Sequence, residues 1–194
     1  MLNVDLNKLA EHLNNQIPGA SATVHFPEDL KKCDPSLTIE ASKIFQVVQF
    51  LKSHPETPFN SLHVISGVDY VDWMEVAYML THYSLENPRQ MILKVKLTDR
   101  VNPVLDSIVK VYAAANFQER EVFDMFGIRF NNHPDLRRIL CPDDWKGWPL
   151  RKDYVAQKDY NGMAVYPDGK MNFEDREFII RQDMIKKAQE AKAH

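Results

Sequence analysis

The apolar positions Leu6, Leu9, Leu13 and Ile17 recur every three or four residues and stop at Pro18-Gly19, a pattern that predicts a first helix. Ala20, Ala22, Val24 and Phe26 then alternate with Ser21, Thr23 and His25, the period-two signature of a strand, which Pro27 ends. The polar run from Glu28 to Pro35 reads as a loop, and Ser36 to Glu40 as a short partner strand. Ser42 stands at the N-cap position ahead of Ile44, Val47, Val48 and Leu51. This predicts a second helix to about Ser53, where Pro55 and Pro58 forbid continuation.

Three strands follow: Leu62 to Val68, Trp73 to Tyr83 and Met91 to Thr98. Met74, Val76, Tyr78 and Leu80 share one face of the second, and Met91, Leu93, Val95 and Leu97 one face of the third. The turn residues Gly67-Val68-Asp69 and Glu86-Asn87-Pro88 leave too little chain for crossovers, so these strands are expected to be antiparallel neighbours. Beyond Pro103, the spacing of Val104, Leu105, Ile108, Val109 and Tyr112 predicts a helix running into Ala113-Ala114-Ala115. A further short helix from about Gln118 to Met125 is stopped by Gly127 in the C-cap position. The order implies an α+β fold: a two-layer domain over residues 1–130, with a mostly antiparallel or mixed sheet and helices on one face.

After Phe130 the pattern changes. Residues 131–168 carry little periodicity, and Pro134, Pro142, Gly147, Pro149, Gly162 and Pro167 prevent long regular elements, so this stretch reads as an irregular, extended, partner-binding arm. Residues 169–194 read as a polar, helical tail whose apolar anchors are Phe178, Ile179, Met184 and Ile185.

Composition narrows the function. A chain of 194 residues that is 44% hydrophobic can build a core without staples. The net charge of -3 argues against a nucleic-acid binder, which carries a basic stripe; the one basic cluster near the end, Lys186-Lys187, is diluted by Glu190. Cys33 and Cys141, far apart and outside any CxxC spacing, suit a reducing compartment, with the cytoplasm as the default. The opening MLNVDLNKLAEHLNN has acids and amides where a signal peptide needs an apolar run, and no stretch approaches about 18 uninterrupted apolar residues. A membrane is expected to be met only through a partner.

The six glycines form neither GxGxxG nor a P-loop, and two cysteines cannot supply the four thiolates of an iron–sulfur cluster. No redox cofactor, metal or catalytic residue is therefore expected on this chain. His133, Cys141, Asp143 and Asp144 crowd together, but Pro142 follows the cysteine and no second His or Cys stands at ligand spacing. A structural histidine in a turn is preferred over a metal site or a Cys/His nucleophile, and a free-standing soluble enzyme using His133 and Cys141 is kept as a rival reading.

Between Asn116 and Tyr154, seven acids face seven bases, so the segment seeks a partner of matching pattern rather than phosphate. Glu119, Arg120 and Glu121 on a helix ordinarily form a solvated face. Trp145 and Trp148, with Pro149, Leu150 and Arg151, have the composition of a binding hot spot; the competing reading is that the two rings close the domain's own core.

These residues also resemble a known family. Glu119-Arg120-Glu121, Asp124-Met125-Phe126-Gly127-Ile128, Phe130, His133-Pro134-Asp135-Leu136-Arg137-Arg138-Ile139-Leu140, Pro142-Asp143-Asp144-Trp145, Gly147 and Pro149-Leu150-Arg151-Lys152-Asp153-Tyr154 look like the signature of the C subunit of the proton-pumping NADH-quinone oxidoreductase, respiratory complex I. With the Val68-Asp69-Tyr70 turn, the resemblance covers roughly residues 5–155. It implies an accessory subunit of the peripheral arm of that enzyme, on the cytoplasmic side of the cell membrane. Flavin, iron–sulfur clusters and quinone would sit on partner subunits. The C-terminal extension would wrap over the hydrogenase-like D subunit near the cluster-bearing B subunit. The expected interface residues are Glu119, Arg120, Glu121, His133, Arg137, Arg138, Trp145, Trp148, Arg151 and Lys152, with one of the two adjacent arginines holding the arm to its own domain and the other reaching the partner. An equivalent subunit of a membrane-bound hydrogenase-type oxidoreductase is the nearest rival.

Overall fold

The computed structural model describes residues 6–26, 36–54, 58–84 and 89–165. The loop expected from Glu28 to Pro35, Cys33, the turn Glu86-Asn87-Pro88 and the tail 169–194 lie outside them. Helix α1 spans Leu6–Gln16 and buries Leu6, Leu9 and Leu13, the stripe read from the sequence. Helix α2, Ile44–Lys52, buries Ile44, Val47, Val48 and Leu51. It is entered through a 3-10 turn, Ala41–Lys43, so Lys43 and not Ser42 holds the cap position, and no side chain caps it. The tighter turn leaves Ser42 one residue too early for its hydroxyl to meet the free amides of the first α turn.

The main sheet contains β1 (Thr23–His25), β2 (Ser36–Ile39), β3 (Ser61–Asp69), β4 (Met74–His82) and β5 (Arg89–Leu97), in the spatial order β1-β2-β5-β4-β3. β3, β4 and β5 are antiparallel neighbours, as their spacing requires. The sheet is mixed because β2 lies parallel to β5, with Leu37 opposite Leu93. Met74, Val76, Tyr78 and Leu80 of β4 and Met91, Leu93, Val95 and Leu97 of β5 all face the core. Each aliphatic side chain fully removed from water there contributes about 1.5–3 kcal/mol. Gly67, Val68 and Asp69 prove to be strand rather than turn, paired with Val76, Glu75 and Met74; the chain reverses only at residues 70–73, where Tyr70 N–H donates to Trp73 O at 2.9 Å.

The apolar run after Pro103 is not a helix. Val104–Asp106 is a strand, β6, parallel to β7 (Arg129–Asn131), and Ile108, Val111 and Tyr112 follow in a tight turn whose amides return to Ile108 O. Their helical spacing arises because Leu105 of β6 and Ile108, Val111 and Tyr112 of the turn after it all reach the same core. The helical residues downstream gather into one helix, α3, Ala115–Phe126, ended by Gly127 in the left-handed conformation at φ +72°. The N–H of Gly127 returns to Phe123 O. Past β7 the chain is irregular to residue 158 and closes in a two-strand hairpin, β8 (Asp159–Tyr160) and β9 (Met163–Ala164).

Candidate functional site

Helix α3 presents an unusual set of charges to the interior. Glu119, Arg120 and Asp124 are all buried, and only Glu121 of the Glu-Arg-Glu triplet faces solvent. The irregular arm covers them. Ion pairs alone would not repay this burial, so each group is held by several donors or acceptors.

Asp124 is the first anchor. It sits in the last turn of α3, where the helix dipole disfavours an anion. The arm reverses that penalty with a nest of successive amides: Ile139, Leu140 and Cys141 N–H all donate to Asp124 Oδ2, at 2.9, 2.7 and 2.9 Å. Arg138 donates to Oδ1 at 2.9 Å and to Gly147 O at 2.9 Å, and its guanidinium lies 4.5 Å over the Trp148 ring. Burial raises the Asp124 pKa, but the three amides and Arg138 outweigh it and hold the carboxyl below its ordinary value.

Asp69, at the end of β3, is the second anchor, and its side chain is fully enclosed. Arg100 donates to it at 2.7 Å, Val71 N–H at 2.8 Å and, from the arm, Lys152 N–H at 2.7 Å. Burial is again outweighed, and the carboxyl is held low by Arg100 and the two amides. Arg100 also grips Asp153 with two bonds of 3.0 and 2.9 Å. Beside it Arg151 donates to Phe126 O, at the negative end of α3, and to Arg100 O, while burial lowers its pKa. Leu150 N–H donates to Met125 O.

Glu119 forms a separate centre. Its oxygens accept the Ser107 hydroxyl at 2.6 Å and Ile108 N–H at 2.8 Å, and burial pushes its pKa up to about 7. Arg120 donates to Arg137 O at 3.3 Å. His133 Nδ1 accepts Asp135 N–H at 3.0 Å, which fixes the neutral ring with its proton on Nε2, donating to Asn116 O at 3.1 Å. Glu119 Oε2 stands 4.0 Å from that nitrogen, a contact with a neutral ring. Both ring nitrogens serve backbone, and burial with the Asp124 charge pushes the Cys141 thiol up, the reverse of an activated nucleophile. Among the described residues no three His, Cys, Asp or Glu side chains gather as a metal would require.

Of the residues singled out in the sequence, Arg138, Trp148 and Arg151 thus meet at the C-terminus of α3, while Glu119, Arg120 and His133 meet near its middle. Trp145 is half-buried farther along the arm, donating to Tyr154 OH at 3.1 Å. Trp148 packs on its own domain, against Phe123 and the α-carbon of Gly127. Glu121, Arg137 and Lys152 face outward. Among the described residues Arg137 pairs with Asp135, two residues away, and its side chain is 65% exposed. Leu140 and Leu150, 62% and 54% exposed, project from the same pinned arm. Asp69, Arg100 and Asp124 escape a reading of the sequence for site residues; the one signal was an acid at the wrong end of a helix. Gln118 was also missed: its amide bonds Ile65 N–H and His63 O, covering the edge of β3 as another strand would.

Residues 37–160 match the family described as "Respiratory-chain NADH dehydrogenase, 30 Kd subunit". The chain is 41% identical over 120 residues to the NADH-quinone oxidoreductase C subunit of Chlorobium phaeobacteroides, covering 61% of this chain and 72% of that one. To the corresponding C subunit of Trichlorobacter lovleyi it is 38% identical over 154 residues, 79% of this chain and 91% of the relative. The chloroplastic NAD(P)H-quinone oxidoreductase J subunit of Lemna minor is 39% identical over 132 residues, 60% of this chain and 82% of that one. Among solved structures, a chain of the membrane-bound sulfane sulfur reductase, an archaeal respiratory membrane complex, shares the fold with a TM-score of 0.63 at 20% identity, covering 86% of this chain and 98% of that one.

Proposed function

The chain belongs to the family of the 30 kDa subunit of respiratory-chain NADH dehydrogenase, and from that premise we propose that it is an accessory subunit of a NADH-quinone oxidoreductase, acting by docking and not by catalysis. The observation that carries this reading is the clasped arm. The family match runs through the core and onward to residue 160, so the arm pinned at Asp124 and Asp69 is part of what the family shares. The buried charges it covers are satisfied within the chain, and the residues it turns outward include Arg137, Leu140, Leu150 and Lys152, beside Glu121 of α3.

The arm docks on the hydrogenase-like D subunit, close to the cluster-bearing B subunit. Flavin, iron–sulfur clusters and quinone reside on partners, in keeping with a sequence that has two cysteines and no glycine-rich loop. The chain contributes by geometry: electron transfer between fixed centres needs rigidly placed subunits, and a preformed arm adds interface without a large ordering cost. No helix among the described residues is long and apolar enough to cross a membrane. The chain attaches through the complex, on its cytoplasmic side. The sulfane sulfur reductase likeness supports the fold alone and gives the hydrogenase-type rival no further weight.

The test is a spectrum and a deletion. The purified chain should be colourless and should not bind NADH, while deleting its gene should abolish membrane NADH-quinone activity. A stoichiometric flavin or cluster band on the isolated chain, or membranes that keep full activity without it, would overturn the proposal.

A further inference from the structure

Asp69 does more than end a strand. Four donor contacts reach its two oxygens, from three separate parts of the chain: Val71 N–H and Arg100 Nε at Oδ1, Arg100 Nη2 and Lys152 N–H at Oδ2. The Val71 backbone there is strained. Its φ of +75° is a left-handed conformation that a β-branched side chain resists, and it persists only where surrounding contacts over-determine it. The Val71 amide is held at the carboxylate while the Val71 side chain stays exposed. The loop after β5 is set from the same centre, because Arg100 spans Asp69 and Asp153 and leaves Val101 exposed beside it. Asp124 fixes residues 139–141 of the arm directly and reaches Gly147 O through Arg138, and Lys152 N–H then ties the chain that follows to Asp69.

We propose that Asp69 is a positioning residue for docking: its single carboxylate locks the turn at Val71, the loop at Arg100 and the arm at Lys152 into one register, and so presets segment 148–153 before any partner arrives. The proposal rests on the docking role above and adds how the arm is made ready for it. A loop pinned at both ends has lost its conformational freedom during folding, so that cost does not fall on the association step. The tie is made to the Lys152 backbone, which leaves its side chain outward, and Leu150 is likewise presented with its own amide fixed on Met125 O.

Asp69→Asn is the direct test. An amide offers one oxygen and one NH2, and the NH2 must face donors on one side or the other, so the variant cannot hold both the Val71 turn and the arm. Hydrogen exchange on the full chain should speed up at the amides of residues 150–154 by about tenfold or more, the loss of a bond to a charged acceptor, with β4 and β5 unchanged. Lys152→Ala keeps the amide donor and should leave exchange there as it was. In membranes, Asp69→Asn should lower incorporation of the chain into the assembled complex several-fold. Should Asp69→Asn fail to fold, Arg100→Gln loosens the same centre from its exposed side and should accelerate the same amides. Exchange at 150–154 within twofold of wild type in the folded variant would overturn the proposal. Faster exchange with undiminished incorporation would overturn the docking role of Asp69 while leaving the family role intact, and wild-type chain absent from the complex would overturn that role itself.

Discussion

Trp148 lies against the α-carbon of Gly127: a Cβ at residue 127 would stand 2.6 Å from Trp148 Nε1, well inside van der Waals contact. The same glycine ends α3 at φ +72°, a conformation that costs an L side chain roughly 1–2 kcal/mol. One position therefore terminates the helix and seats the arm. Gly127→Ala should lower stability by at least about 2 kcal/mol in denaturant unfolding and displace Trp148, seen as a change in the near-ultraviolet tryptophan band. A fully stable variant with an unchanged band would mean the ring is not seated there.

Asp124 ties the first half of the arm, and its protonation should release it. Its pKa is held below the ordinary value of 3.8, so the stability it contributes is fully present above that value and is lost as pH falls through the lower, folded pKa. Tryptophan emission from Trp145 and Trp148 should report release of the arm only in that acid range. Asp124→Ala, which strands Arg138 and three amides, should cost on the order of 3–5 kcal/mol at neutral pH.

Glu119 titrates with the opposite sign. Its folded pKa is about 7 against 4.5 when unfolded, so the folded state binds the extra proton between those values and stability falls as pH rises through that window. The full difference is about 3 kcal/mol, at about 1.4 kcal/mol per unit. Melting temperatures measured from pH 5 to 8 should decline in the wild type and flatten in Glu119→Gln. A Glu119→Gln profile as steep as the wild type would assign the dependence to another group.

The two adjacent arginines divide their work. Arg138 is enclosed between Asp124, Gly147 O and Trp148, whereas Arg137 faces solvent with Asp135 beside it. Arg138→Ala should destabilise the isolated chain by about 2–4 kcal/mol, since it leaves Asp124 underpaired. Arg137→Ala should leave stability within about 0.5 kcal/mol and still reduce the amount of assembled complex. Equal stability losses would contradict the division.

Periodicity made the sheet and the first two helices legible, because β4, β5, α1 and α2 each bury one regular face. It failed at Val104 to Tyr112, where residues of a short strand and of the turn after it reach one core and mimic a helical stripe. The charged helix surface was misleading for another reason. Glu119 and Arg120 have the pattern of a solvated face, but Ser107 and Ile108 close over Glu119 from one side and the start of the arm, at His133 and Arg137, folds back over both. Asp69 has one local partner, Val71 N–H two residues on, and its other partners and those of Arg100 lie 31 to 83 residues away, beyond the reach of a local pattern.

A docked subunit of a NADH-quinone oxidoreductase should bring its neighbours with it in affinity purification of the tagged full chain from detergent-solubilised membranes. Flavin- and cluster-bearing subunits should elute with it in fixed ratio, with NADH oxidation in the same fraction. Elution of the chain alone, with that activity left wholly in the unbound fraction, would contradict the docked role.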